Sequence, residues 1–204
     1  VTAVPIVEYW FDFASTYSYL ATARIEAAAR AAGVVVEWKP FLLGPIFQRQ
    51  GWNDSPFNLY PAKGKYMWRD LERSCARSSL PFRRPSVFPR NSVRAARVAM
   101  VGVDDGWVAL FAQAVFHANF AEDRDIASAE VLVALLEGIG LSGREILARA
   151  ESLELNPRLR QQTERAEMLG IFGVPSFVVA GELFWGNERL DQAIEWARSG
   201  ASPR

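Results

Sequence analysis

The chain has 204 residues, half of them hydrophobic and 23% charged, with Lys plus Arg and Asp plus Glu at 23 each. This length fits one sizeable domain, or one with a large insertion, and a net charge of zero gives no global reason to expect nucleic acid or an acidic membrane surface as partner. One cysteine, Cys75, excludes an intrachain disulfide or a cysteine metal cluster, and one histidine, His117, excludes two-histidine sites.

Val4–Phe13 is apolar and aromatic and reads as a buried strand. Thr16–Ala32 is alanine-rich and stops at Gly33, as a helix should. Val34–Trp38 is a second, β-branched strand, so the first two strands of this βαβ unit are expected to be parallel. Leu43–Lys65 mixes Gly44, Pro45, Gly51, Pro56, Pro61 and Gly64 with aromatics, which predicts a long loop of a kind usually kept for function.

Helices follow. Tyr66–Ser78 carries Met67, Leu71 and Cys75 at helical spacing. Ser92 is placed to cap a helix reaching Val101, and Asp104-Asp105 to open the next. Ser128 precedes Ala129–Glu137, Ser142-Gly143-Arg144-Glu145 has capping-box spacing, and Asn156-Pro157 reads as a cap with proline at the first helical position. Strands return at Ser176–Ala180 and Leu183–Trp185 around Gly181-Glu182, read as a type II′ hairpin, before a last helix over Glu188–Arg198. No apolar run reaches the roughly 18 residues of a membrane span, and the start lacks the charged opening of a secretory signal. A reducing, cytoplasmic setting is expected.

Ser15 and Ser18 stand where the first strand hands over to the first helix. Spacing alone makes both of them helix caps. Cys75 lies on an apolar helical stripe and reads as core, and His117 has no recurring partner. Arg83, Arg84, Arg90, Arg94 and Arg97 crowd into fifteen residues, most of them expected to form a solvated face, though some could attract an anionic aromatic acid.

The β-α-β and β-β-α ends, with helices between, have the thioredoxin layout. Ser15-Thr16-Tyr17-Ser18 stands where redox members carry C-x-x-C, and Gly173-Val174-Pro175-Ser176 where they carry a proline opening the third strand. Phe11-Asp12-Phe13-Ala14-Ser15-Thr16-Tyr17-Ser18-Tyr19-Leu20 resembles the F-D-x-x-S-P-[FY]-S-[YW]-L opening of the 2-hydroxychromene-2-carboxylate isomerases and kappa-class glutathione transferases. Pro61–Met67, Gly170–Pro175 and Trp185–Leu190 resemble later stretches of the same family, in order along the chain. Thr16 replaces the family's proline, and Glu188 the aspartate of W-G-x-D-R.

The resemblance implies an α/β thioredoxin-like fold of the DsbA and kappa-transferase type, with residues 1–42 and 170–204 as its discontinuous domain and 43–169 as a helical insertion. It implies glutathione as cofactor and Ser15 as the residue that holds its thiol, Ser18 being left to helix-start structure. The Val174-Pro175 bond would be cis, with the Val174 backbone pairing with the tripeptide. Gly186, Asn187 and the helix-start N–H groups would take a glutathione carboxylate, Glu188 its ammonium group, with Arg189 in the same motif. Lys63 would hold a carboxylate. Asn91 and either Asn53 or Asn58 would lie near the substrate, a small aromatic carboxylate. The implied activity is isomerisation by thiol addition, bond rotation and elimination, in a homodimer. A kappa-type transferase, or a glutathione-binding protein without activity, are the alternatives.

Overall fold

The computed structural model describes residues 4–152 and 155–200. Four strands form one mixed sheet in the order β2-β1-β3-β4. β1 (Ile6–Phe11) pairs in parallel with β2 (Val35–Pro40) across α1 (Thr16–Ala32), and antiparallel with β3 (Ser176–Val179), which pairs antiparallel with β4 (Glu182–Trp185). This is the thioredoxin arrangement expected from the sequence. Between β2 and β3 run α2 (Leu43–Arg49), α3 (Pro56–Leu59), α4 (Pro61–Arg77), α5 (Val93–Asp105), α6 (Val108–Phe120), α7 (Ala129–Gly138), α8 (Gly143–Ala150) and α9 (Leu155–Met168). A short 3-10 turn over Asn187–Arg189 leads into α10 (Leu190–Ser199). No helix among the described residues is long and apolar enough to cross a membrane.

Alternation along β1 sends its side chains into two cores. Val7, Tyr9 and Phe11 join a large cluster with α1 and the helices of the middle of the chain, where Phe11 and Phe13 meet Phe116 of α6 at 6.1 and 5.0 Å between ring centroids. Trp10 joins a smaller cluster on the other face with Phe41, Ile46, Ile171 and Val178.

Several expected boundaries moved. Residues 43–65 are not one loop: Pro56 and Pro61 stand in the first turns of α3 and α4, where a missing N–H costs nothing, so they start helices. Gly64 lets those helices meet, since a Cβ there would lie 2.2 Å from the Phe57 carbonyl oxygen. Asp104 and Asp105 end α5 rather than open α6. They face the negative end of the helix dipole, offset by Arg158 and Arg149, each at 2.7 Å. Ser92 makes no cap bond, its hydroxyl being drawn to Asp12 instead. Ser142, at ψ 80°, falls short of the extended cap geometry, and the capping box does not close. α9 already contains Leu155 and Asn156, so Asn156 is not its cap. The β3–β4 loop is Ala180-Gly181, at φ 50° and 86°, because Val179 pairs with Glu182. Two positive φ values make it type I′ rather than II′.

Arg90 is buried and anchors the segment before α5. It donates to the Asn119 side-chain oxygen at 2.9 Å and pairs with Asp123, while the Asn119 amide donates to the Phe13 carbonyl at 3.0 Å. The Ser86 N–H and the Arg90 guanidinium hold the Asp123 carboxyl down at about 2. A depressed folded pKa adds stability that is fully present above the usual carboxylate value near 4 and is lost as pH falls toward 2. Asp123→Asn should therefore melt below the wild type at pH 6, and the two melting temperatures should converge by about pH 2. A gap of constant size across that range would contradict this role.

Candidate active site

The site begins at the carboxylate that ends β1. Asp12 is buried, and its Oδ1 accepts from the Ala14 N–H at 2.9 Å and the Ser92 hydroxyl at 2.7 Å. Its Oδ2 accepts from the Leu43 N–H at 2.8 Å, and its own carbonyl from the Ser15 N–H at 3.0 Å. Burial pushes this carboxyl above its usual range, while the three hydrogen bonds pull the other way. One side chain thus joins the β1–α1 turn, the start of α2 and the start of α5.

Ser15 follows as the N-cap of α1, with φ −87° and ψ 123°. Its Oγ accepts from the Ser18 N–H at 3.2 Å and donates to the Val174 carbonyl at 3.3 Å. The Val174-Pro175 bond is cis, as is Phe88-Pro89. The Pro175 carbonyl accepts from the Gly186 N–H at 2.9 Å, which carries the end of β4 to the same place. Gly186 sits at φ 110°, a backbone conformation that L side chains rarely adopt, so the turn requires glycine. The first turn of α1 contains no acidic residue. A helix start of this kind presents N–H groups without intrahelical partners and the positive end of the dipole to any anion beside Ser15.

These segments border a cavity of about 1560 Å³. Ser15, Val174, Pro175, Gly186, Asn187 and Glu188 line it. Asn53, Lys63 and Asn91 line it too, Lys63 with its ammonium 5.0 Å from the centre of the Tyr60 ring and Asn91 with its side-chain oxygen engaged by the Val93 N–H at 3.0 Å. Asn58 and Arg189 do not. The Asn58 amide is spent on Asp54 and on the Phe88 carbonyl, and Arg189 reaches along its own helix start to Gln192. Of the two loop asparagines, Asn53 is the one at the cavity. The Asn187 Oδ1 is buried without a hydrogen-bond partner. That atom is an acceptor and can take a ligand N–H, while the amide N–H groups of the same side chain can donate to a carboxylate.

Ser18 is fully buried off the cavity, its carbonyl taken by the Tyr9 hydroxyl at 3.0 Å. Thr16, in the family's proline position, is buried with its hydroxyl donating to the Met67 sulfur at 3.3 Å. Cys75 lies in the core with its thiol pushed up to about 11 by burial, which keeps it protonated. His117 is exposed beside Glu122 at 3.4 Å.

Sequence reasoning missed the α4 wall. Tyr66, Asp70, Arg73 and Arg77 follow Lys63 along the cavity side of that helix. The Tyr17 hydroxyl donates to Asp70 at 3.1 Å and Arg73 pairs with Asp70 at 3.0 Å. Burial, then the Asp70 charge, pushes the Tyr17 phenol well above its usual range. The three- and four-residue spacing of 63, 66, 70, 73 and 77 was legible, but only to a reading that starts the helix at Pro61. Of the arginine run, only Arg90 lines this cavity, and its guanidinium is committed to Asn119 and Asp123. Phe172 and Trp185, half-exposed and in edge contact at 4.8 Å, form part of the rim.

A thioredoxin fold with a serine at the head of α1 and a proline facing it defines a protein that keeps the redox scaffold without its cysteine pair. The DSBA-like thioredoxin domain family matches residues 6–195. A 2-hydroxychromene-2-carboxylate isomerase of Sphingobium xenophagum is 30% identical over 91% of this chain and 94% of its own length. A solved 2-hydroxychromene-2-carboxylate isomerase superposes with a TM-score of 0.84 at 25% identity, covering 95% of this chain and 94% of the other. Glutathione S-transferase kappa 2 of Caenorhabditis elegans is 23% identical over 94% of this chain and 91% of its own. The chain belongs to the 2-hydroxychromene-2-carboxylate isomerase family of DsbA-like thioredoxin proteins, and is an enzyme of the isomerase class.

Removing the Ser15 hydroxyl deletes a helix cap, whereas removing the Asp12 carboxylate orphans three donors. Ser15→Ala should cost about 1 kcal/mol of stability. Asp12→Ala should cost more, with about 1–3 kcal/mol for each buried donor left unpaired. Urea unfolding checks the order, and an Asp12→Ala protein as stable as Ser15→Ala would sink the claim that Asp12 holds the site together.

Proposed function

We propose that this protein is a glutathione-dependent cis–trans isomerase acting on an aromatic carboxylate of the 2-hydroxychromene-2-carboxylate type. The observation that carries the reading is Ser15, whose hydroxyl caps α1, touches the Val174 carbonyl and opens onto the large cavity. The chain's own groups fit a tripeptide thiol. The unpartnered Asn187 oxygen and the Glu188 carboxylate suit an ammonium group, and Lys63 and Arg73 suit carboxylates. The Val174 backbone lies where an extended peptide could pair before β3 begins. The cavity also exceeds the roughly 300–1000 Å³ of a single small-molecule site, leaving room for a second ligand.

Glutathione bound here would supply a thiol that adds to a conjugated double bond, leaves a single bond free to rotate, and is released by elimination. The α1 helix start favours the ionised thiol through its dipole and free N–H groups. Ser15 donates a hydrogen bond to that anion once its proton leaves the Val174 carbonyl, which favours the charged form further. Phe47, Trp52 and Phe57, also in the lining, offer an apolar wall for an aromatic ring.

The kappa transferase relative favours a second reading, in which thiol addition is not followed by elimination. An isomerisation assay with and without glutathione, run beside a transferase assay on a generic electrophile, separates the two. Isomerisation that needs glutathione and regenerates it supports the proposal; isomerisation at full rate without glutathione contradicts it. Glu188→Gln should weaken glutathione binding about ten-fold or more, the effect of losing one charge-assisted contact, as read by calorimetry. Unchanged affinity would remove Glu188 from the site.

A further inference from the structure

A second cavity of about 280 Å³ lies behind the β2–α2 junction, with Leu42, Pro45 and Val93 bordering both it and the large one. Leu159 adds to these apolar residues in its lining. Arg49, Arg97 and Arg160 also line it, and no acidic side chain is among the described lining residues. Two of these charges are matched from outside the lining: Arg49 pairs with Glu167, and Arg160 with Glu164 at 2.9 Å.

Arg97 is different. It is half-buried, and its Nε is shut off from solvent with no hydrogen-bond partner. No hydrogen bond or ion pair joins it to the rest of the chain among the described residues. Arg97 lines the cavity with a charge that no acceptor among the described residues meets, so the site calls for an acceptor from outside the chain. The planar guanidinium edge matches a carboxylate through two parallel hydrogen bonds. After the two internal pairs, one positive charge is left, which suits a monoanion. A small, doubly charged oxyanion would leave the apolar lining residues facing its charge. The volume lies just under the usual range of about 300–1000 Å³ for small-molecule sites, enough for one ring or a short aliphatic chain.

We propose that this cavity binds a small monocarboxylate with an apolar body, its head on Arg97 and its body against Leu42, Pro45, Val93 and Leu159. Ser15 is not part of this lining, and the proposal does not depend on the reading of the large cavity.

Benzoate, titrated into the full chain by calorimetry beside its neutral counterpart benzamide, tests this. The wild type should prefer benzoate by about ten-fold or more, the scale of one charge-assisted contact. Arg97→Gln should erase that preference, and Ser15→Ala should keep it. No benzoate binding, equal binding of benzamide, or unchanged binding to Arg97→Gln would each overturn the proposal. So would loss of binding in a folded Ser15→Ala protein, which would move the ligand to the large cavity. Should Arg97→Gln fail to fold, Arg97→Lys keeps the charge without the fork and should bind several-fold more weakly than wild type. Full affinity in that variant would overturn the proposal as well.

Discussion

A carboxylate at the end of a central strand survives burial only if enough donors converge on it. Asp12 meets that condition with the N–H groups of Ala14 and Leu43 and the hydroxyl of Ser92. Each partner belongs to a different segment, so satisfying the one charge fixes where α1, α2 and α5 begin relative to β1. Ser15 takes its place from this knot, since its N–H is held by the Asp12 carbonyl. The β3 side adds the Val174 carbonyl as a second point of attachment. The polar floor of the large cavity therefore follows from one desolvated group and the geometry needed to pair it.

Charge is distributed with the same economy. The arginines that crowd the segment before and into α5 are separated once folded. Arg84 lies over Trp68 at 4.7 Å, Arg90 is locked to Asp123, and Arg94 pairs with Glu151 at 3.0 Å. Arg97, its Nε buried without a partner, lies against the second cavity. Cation supply to the large cavity falls instead to α4, whose Lys63, Arg73 and Arg77 stand in one helical row around Asp70.

The βαβ start was legible because its signals are local: a buried strand, an alanine-rich helix with a serine cap and a glycine stop, and a β-branched strand. The ends of α1 coincide with those the sequence predicts. The stretch from 43 to 65 was not, because proline at a first helical turn and proline in a loop look alike until the flanking contacts exist. The hairpin slipped by one residue because alanine at φ 50° has no sequence signal. Ser15 could be given a role through family resemblance, whereas Asp12, though part of the same motif, Ser92, read only as a cap, and Asp70 could not be given theirs. Their roles come from partners 31 to 80 residues away, a distance over which spacing carries no information. Asn187 shows the finer limit: its place at the cavity was expected, but the end of its amide left unpaired is a matter of packing.

The proposed activity depends on Ser15 and the α1 helix start holding a thiol in its ionised form. The direct measurement is a pH titration of thiolate ultraviolet absorbance for glutathione bound to the wild type and to Ser15→Ala. A thiol pKa depressed well below the free value of about 8.5 in the wild type, and raised by about one unit or more in the variant, is the predicted result. Bound glutathione that titrates identically in the two proteins would contradict it.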